Sequence, residues 1–178
     1  MSAGLAPEHS PLHLRVAGLA VTPSAVDVGT TVLLAAQTKT ARCTLGPNPD
    51  RACSPGAYYS RLTKRRICSE TFRTSDIRHV TDGTKHAVEI AYGLAPKGYG
   101  STLEIDHIVS LELGGSNEIA NLFPERANAH PGYHAKDKLE NRLHDLVCEG
   151  TMRLRDVQRQ IASNWQTLYK LVFGTPPG

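Results

Sequence analysis

The chain has 178 residues, of which 40% are hydrophobic and 21% charged, and its formal net charge is +3. This composition is typical of a soluble globular domain and argues against a disordered chain. No apolar run of about 18 residues occurs, so no membrane span is predicted. The mild excess of positive charge is compatible with a polyanionic partner without requiring one.

The N-terminal 40 residues lack helical periodicity and are interpreted as a leader or flexible arm, with the folded domain over 41–178. Their apolar part is interrupted by Pro23, Asp27 and Gly29, which makes a weak secretion signal. An extra strand within residues 26–32 is the alternative.

The cysteines at positions 43, 53, 68 and 148 contain no Cys-x-x-Cys pair, which argues against a zinc ribbon. An even number in a loop-rich chain favours two disulfides and an oxidising compartment. Three connectivities exist, of which Cys43–Cys53 with Cys68–Cys148 is favoured; four reduced cysteines are the alternative. We therefore expect a secreted or cell-envelope protein, with a cytoplasmic one as the alternative.

A basic run follows the second cysteine. Its residues are Arg61, Lys64, Arg65 and Arg66. Such a run is either a solvated face or a surface that contacts phosphates.

The remaining elements follow in order. Thr81 caps a predicted helix that ends near Tyr92, and a strand is predicted over about 102–109. A turn leads to a short return strand over 119–123, and a helix is predicted over 134–147. A last helix, about 152–172, has an apolar stripe in which Trp165 is interpreted as a packing anchor.

Two adjacent ionisable residues, Asp106 and His107, end the predicted strand. Strand alternation sends their side chains to opposite faces. His134 begins the next helix on the face opposite its leucines, free to point back at Asp106. A carboxylate and an imidazole together suit a divalent ion that keeps several waters.

The stretch IDHIVSLELGGSNEIANL resembles the HNH endonuclease motif in its ββα-metal form. In that pattern an Asp-His pair precedes a Gly-Gly turn, an Asn-Leu and a third His or Asn on a helix. His107 and Asn121 are 14 residues apart, as the motif requires. The resemblance implies an α+β fold in which a ββα core, about 102–147, is flanked by helices.

The resemblance also implies roles. His107 would be the general base, Asp106 a metal ligand, and Asn121 the residue that clamps the loop and orients His107. His134 is favoured as the second ligand, because His130 precedes a Pro-Gly and lies before the helix; His130 and Asn141 remain alternatives.

The implied activity is hydrolysis of phosphodiester bonds in DNA, with RNA as an alternative, at low sequence specificity. The cofactor would be Mg²⁺ or Mn²⁺, with Zn²⁺ as an alternative, and the basic run would contact phosphates. No protein partner is implied. The competing hypothesis is a non-catalytic, disulfide-braced binding module of the cell envelope that keeps the same scaffold.

Overall fold

The fold is α+β, with four α-helices and two small antiparallel sheets in the described part of the chain. The computed structural model describes residue 1 and residues 26–98, 100–127 and 132–178. The α-helices are α1 (Lys64–Ile67), α2 (Asp82–Ala91), α3 (Tyr133–Glu149) and α4 (Leu154–Phe173). The strands are β1 (Thr31–Leu33), β2 (Ala57–Tyr59), β3 (Leu103–His107) and β4 (Leu122–Arg126). Within these ranges, no helix is both long and apolar enough for a membrane crossing.

The first sheet joins the N-terminal part of the chain to the rest of the domain. Strand β1 pairs antiparallel with β2, with Val32 opposite Tyr58. Val26 and Val28 are partly buried and pack against the core. Val26, Val28 and the strand Thr31–Leu33 therefore pack with the domain, although residues 26–30 are not themselves strand. Most of the predicted leader, residues 2–25, lies outside the described residues.

The second sheet is the hairpin of β3 and β4, in which His107 pairs with Leu122 and Asp106 with Phe123. The return strand lies about three residues later than predicted, because residues Ile119–Asn121 form a 3-10 turn first. The side chain of Asn121 bonds to the backbone of the loop, and such local bonds compete with a strand ladder.

Strand β2 runs along the loop between β3 and β4. The amide of Tyr59 donates to the carbonyl of Gly114 at 2.9 Å, and the amide of Ser116 donates to Ala57 at 3.1 Å. A Cβ at Gly115 would lie 1.7 Å from the carbonyl oxygen of Val109, so no other residue fits at this position. The Gly-Gly pair therefore allows the loop to pass close to its own backbone.

The two long helices supply a large part of the core. The predicted stripe of α4 is buried, and the ring nitrogen of Trp165 donates to the carbonyl of Pro47 at 2.9 Å, which confirms the anchor. Helix α4 is kinked at Asn164, whose φ is −164° and whose side chain caps Thr167 at 3.0 Å. Helix α3 packs against α4 and follows the hairpin directly, so the order is strand, strand, helix.

Both favoured disulfides are present, Cys43–Cys53 and Cys68–Cys148. Inside the first loop, Asp50 accepts from Lys39 at 2.9 Å, from the amide of Thr44 at 2.9 Å and from the amide of Ala52 at 3.1 Å. The hydrogen bond from Lys39 is the main reason that the pKa of Asp50 falls from 3.8 to about 2.

Candidate functional site

Asn121 holds the loop that follows β3. Its side-chain oxygen accepts from the amides of Ala57 and Val109, and its side-chain nitrogen donates to the carbonyls of Val109 and Ser116, all within 3.1 Å. The residue is fully buried, so each of these backbone groups depends on it for a partner. Asn121 therefore clamps the loop, but no hydrogen bond joins it to the ring of His107 in the described structure.

Asp106 and His107 remain neighbours at the end of β3. The side chain of Asp106 is 20% exposed, whereas His107 is only 3% exposed, as strand alternation predicts. Their polar atoms nevertheless approach each other, with 3.9 Å between Nδ1 of His107 and Oδ1 of Asp106. A partly exposed carboxylate is thus the close neighbour of a buried imidazole.

Asn117 determines which nitrogen of His107 carries the proton. The side-chain nitrogen of Asn117 donates to the carbonyl of Ile77 at 2.7 Å and to the hydroxyl of Tyr59 at 3.0 Å. Its oxygen therefore faces Nε2 of His107, at 3.2 Å, and can only accept. Nε2 therefore carries a proton, and in the neutral form of the imidazole the lone pair belongs to Nδ1, the nitrogen on the Asp106 side.

A buried ammonium group lies beneath the hairpin. Nζ of Lys136 is 2.7 Å from both Oδ2 of Asp106 and Oε1 of Glu140, and 3.5 Å from Oε2 of Glu125. Lys136 is 1% exposed and Glu125 is 2% exposed. Neither carboxylate oxygen of Glu125 accepts a hydrogen bond from the described residues, so three acidic groups share one lysine.

The buried ionisable groups form one charged pair and two carboxyl groups whose pKa is raised. Burial alone would raise the pKa of Asp106, but the positive charge of Lys136 and its hydrogen bond to the carboxylate hold that pKa well below its usual range. Burial would lower the pKa of Lys136, and its acidic neighbours raise it instead. Burial raises the pKa of Glu125 to about 7 and that of Glu140 well above its usual range. Asp106 and Lys136 are therefore the charged pair.

The oxygen ligands available to a cation are carboxylates. Ligand atoms of Asp106, Asp137 and Glu140 lie within 4.8 Å of one another, and this is an oxygen-rich donor set that suits Mg²⁺ or Mn²⁺. Lys136 already binds Oδ2 of Asp106, which leaves Oδ1 as the free oxygen. By the chemistry of its donor atoms, this group of carboxylates fits an added divalent cation.

His134 lies beside this group rather than within it. Its side chain is 78% exposed, and Nδ1 is 4.0 Å from Oδ2 of Asp137, so Asp137 stands between His134 and the buried acids. Asn141 is exposed on the same helix. His130, the other alternative, lies outside the described residues.

The predicted basic residues lie on the surface at and before α1. Lys64, Arg65 and Arg66 are exposed, whereas Arg61 forms an ion pair with Asp27. Lys64 shares a surface depression with Arg153, Arg155 and Arg159 from the start of α4. Arg155 stacks on the ring of Tyr58 at 3.8 Å, and Asp156 pairs with both Arg153 and Arg159.

The sequence analysis missed Asn117 and the buried Lys136 with its acidic partners. A signal for Lys136 existed, because Lys136 and Glu140 are spaced i,i+4 and fall among the buried positions Leu139, Leu143 and Val147. An ionisable pair on an apolar stripe predicts a buried ion pair. No signal in a single sequence distinguishes Asn117 from an ordinary turn residue.

Comparisons with known proteins yield no relative. No family profile matches the chain, and searches of curated proteins and of solved structures find no significant similarity. The resemblance to the HNH motif therefore depends on the motif residues alone, and membership of that family stays a prediction.

Proposed function

We propose that the chain is a metal-dependent endonuclease that hydrolyses phosphodiester bonds in DNA, or in RNA, with low sequence specificity. The observation that carries this proposal is the position of the imidazole of His107, whose Nδ1 lies 3.9 Å from Oδ1 of the ionised carboxylate of Asp106. An imidazole with a fixed tautomer next to a free carboxylate oxygen suits the activation of water.

Each residue has a separate task in this proposal. Nδ1 of His107 takes the proton of the attacking water, while Asn117 holds the ring through Nε2–H. Asp106 and Asp137 would hold the divalent ion, with His134 as the ligand on the solvent side. The ion would stabilise the charge that develops on the phosphate. Lys136 keeps Asp106 ionised so that it can act as a ligand at any physiological pH.

The exposed basic residues would provide affinity for the nucleic-acid backbone. Lys64, Arg65 and Arg66 carry no acidic partner in the described structure, and Arg155 adds a cation from a distant part of the sequence. Contacts of this kind with phosphates are independent of base sequence and weaken as salt displaces them. Binding should therefore be salt-sensitive and weakly specific.

The test is nicking of a supercoiled plasmid with Mg²⁺ or Mn²⁺, with and without EDTA. His107→Ala should lose at least about 100-fold in rate, the lower range for loss of a general base. His86→Ala on α2 is the matched control, because His86 is a half-exposed histidine that pairs with Glu89, a residue with no role in the proposed site. Cleavage by His107→Ala at the parent rate would remove the assigned base.

The second candidate, a non-catalytic binding module, has support of its own. His107 is almost fully buried, and Lys136 already neutralises Asp106. Thermal melting during metal titration distinguishes the nuclease from the binding module, because a ligand that binds only the folded state raises the melting temperature. An enzyme shows this shift and EDTA-sensitive nicking, whereas a binding module need show neither.

We also propose that the chain acts outside the cytoplasm, as a secreted or cell-envelope protein. The two disulfides support this proposal, because disulfides persist in oxidising compartments. Measuring free thiols in protein taken from its native host, without reduction, tests it. Full thiol reactivity would contradict it.

A further inference from the structure

The disulfide between Cys68 and Cys148 has a histidine beside it. Nε2 of His144 lies 3.6 Å from Sγ of Cys148, and ligand atoms of Cys68, His144 and Cys148 all lie within 4.8 Å of one another. The Cys43–Cys53 bridge has no comparable imidazole in the described residues. The two bridges therefore differ in the chemistry available around their sulfurs.

The backbone places these three side chains as metal ligands require. His144 and Cys148 are one helical turn apart on α3, at the i,i+4 spacing that directs two ligands to one ion. Cys68 ends α1, and its Cα is 5.6 Å from that of Cys148. In a tetrahedral zinc site the ligand atoms are roughly 3.6–3.8 Å apart, which His144 and Cys148 already satisfy.

Access also favours this bridge. Cys68, His144 and Cys148 are each partly exposed, whereas Cys43 and Cys53 are buried, so a reductant reaches the first bridge more easily.

We propose that Cys68, Cys148 and His144 form a redox-gated zinc site, closed in the disulfide form and open to Zn²⁺ after reduction. A dithiol reductant gives up two electrons and two protons, so its sulfurs become a disulfide and the Cys68–Cys148 bond becomes two thiols. Zn²⁺ then binds both sulfurs as thiolates and Nε2 of His144, and two thiol protons pass to solvent. Water completes the fourth position. Nε2 gives up its hydrogen bond to the carbonyl of Ile67, now 3.3 Å away, and the imidazole proton moves to Nδ1.

This site is independent of the proposed nuclease activity, since it lies at the other end of α3 from His134. Bound Zn²⁺ would link α1 to α3 through its ligands, in place of the disulfide bond. The ion is therefore expected to restore the stability that reduction removes, because zinc binding to the folded state is coupled to folding.

The experiment uses a Cys43→Ser/Cys53→Ser variant, in which only the Cys68–Cys148 bridge remains. After reduction with a phosphine, which leaves no competing thiol, the protein is titrated with Co²⁺ and then Zn²⁺. We expect one Co²⁺ per chain, the intense visible absorption of tetrahedral cobalt with thiolate ligands, and loss of that absorption when Zn²⁺ displaces cobalt. If reduction unfolds the chain, Zn²⁺ should refold it.

Two further variants make the test specific. His144→Gln, in the same background, should bind Co²⁺ at least about tenfold more weakly, since losing even an outer-sphere partner costs a metal site that much. Cys68→Ser/Cys148→Ser, reduced in the same way, should show no tetrahedral absorption. Absence of stoichiometric cobalt binding in the first variant, or equal affinity after His144→Gln, would overturn the proposal.

Discussion

Lys136 sets the electrostatics beneath the hairpin. Its ammonium binds Asp106 and Glu140 directly and lies 3.5 Å from a carboxylate oxygen of Glu125. Buried ion pairs contribute little net stability compared with apolar residues, but removing one partner leaves the others uncompensated. Lys136 is therefore best understood as the residue that allows acidic groups to be buried next to the candidate site.

Replacing this lysine should be costly. We expect Lys136→Met to lower the free energy of unfolding by about 3–5 kcal/mol, because the buried carboxylates lose their counter-charge. Lys138→Met on the same helix is the control. Its lysine is exposed and lies 5.0 Å from the centre of the Phe173 ring, so its loss should cost less than about 1 kcal/mol. Urea denaturation in EDTA measures the free energy of unfolding of both variants. Equal losses in the two would contradict the role assigned to Lys136.

Glu125 should make the protein less stable at alkaline pH. Its pKa rises from 4.5 in the unfolded chain to about 7 in the fold, because of burial. The folded state therefore holds this proton longer, and stability is lost as pH rises from 4.5 to about 7.

Glu125→Gln should remove that loss. We expect the variant to be more stable than the parent by about 1–3 kcal/mol at pH ~8, with a smaller difference at pH ~5. Denaturation at the two pH values, in EDTA, tests this expectation. A variant less stable than the parent at the higher pH would show that the ionised carboxylate is compensated.

At the scale of elements, the hairpin loop depends on one side chain. Asn121 satisfies four backbone groups within the loop and on β2. Asn121→Ala should destabilise the protein by about 3–5 kcal/mol, since buried backbone groups would lose their partners. Asn141 is exposed on α3, so Asn141→Ala should change stability by less than about 0.5 kcal/mol. Thermal melting of the Asn121→Ala and Asn141→Ala variants compares the two losses of stability.

The loop of the first disulfide has an acid-sensitive element. Because the pKa of Asp50 is lowered from 3.8 to about 2, its stabilising effect is complete above pH 3.8 and is lost as pH falls to about 2. Asp50→Asn should lower stability by about 1–2 kcal/mol at neutral pH, a range that allows for screening by solvent. The variant should also unfold with a weaker dependence on pH between about 4 and 2. An unchanged acid-unfolding curve would contradict this.

The sequence predicted elements with strong local signals and missed groups that only tertiary contact defines. The cap at Thr81, the stripe of α4 and the hairpin followed by α3 have periodicity or capping chemistry that a single sequence contains. The return strand was predicted about three residues too early in the chain. The hydrogen bonds of the Asn121 side chain depend on the folded loop, and a local sequence pattern does not contain them. The contact between Asn117 and His107 depends on β2 and on Ile77, both distant along the chain.

At the scale of the whole molecule, the two disulfides close separate stretches of very different length. Cys43–Cys53 spans 10 residues and Cys68–Cys148 spans 80, and the longer one joins α1 to α3. This is the pairing that was favoured from the sequence. The site at the hairpin lies within the longer loop.

Removing each bridge should give unequal losses. In the chain-entropy account, Cys43→Ser/Cys53→Ser costs about 3 kcal/mol and Cys68→Ser/Cys148→Ser about 4.5 kcal/mol. Urea denaturation of the two double variants measures the difference. A larger loss from the short loop would show that contacts around Asp50, rather than chain entropy, dominate.

The single tryptophan of the chain lies at a useful position. The indole of Trp165 is buried and donates to Pro47, so one fluorophore joins the C-terminal helix to the loop of the first disulfide. Its emission should be blue-shifted and shielded from aqueous quenchers in the native state. The unmodified protein thus contains an optical probe that reports when this loop leaves α4, without any added label.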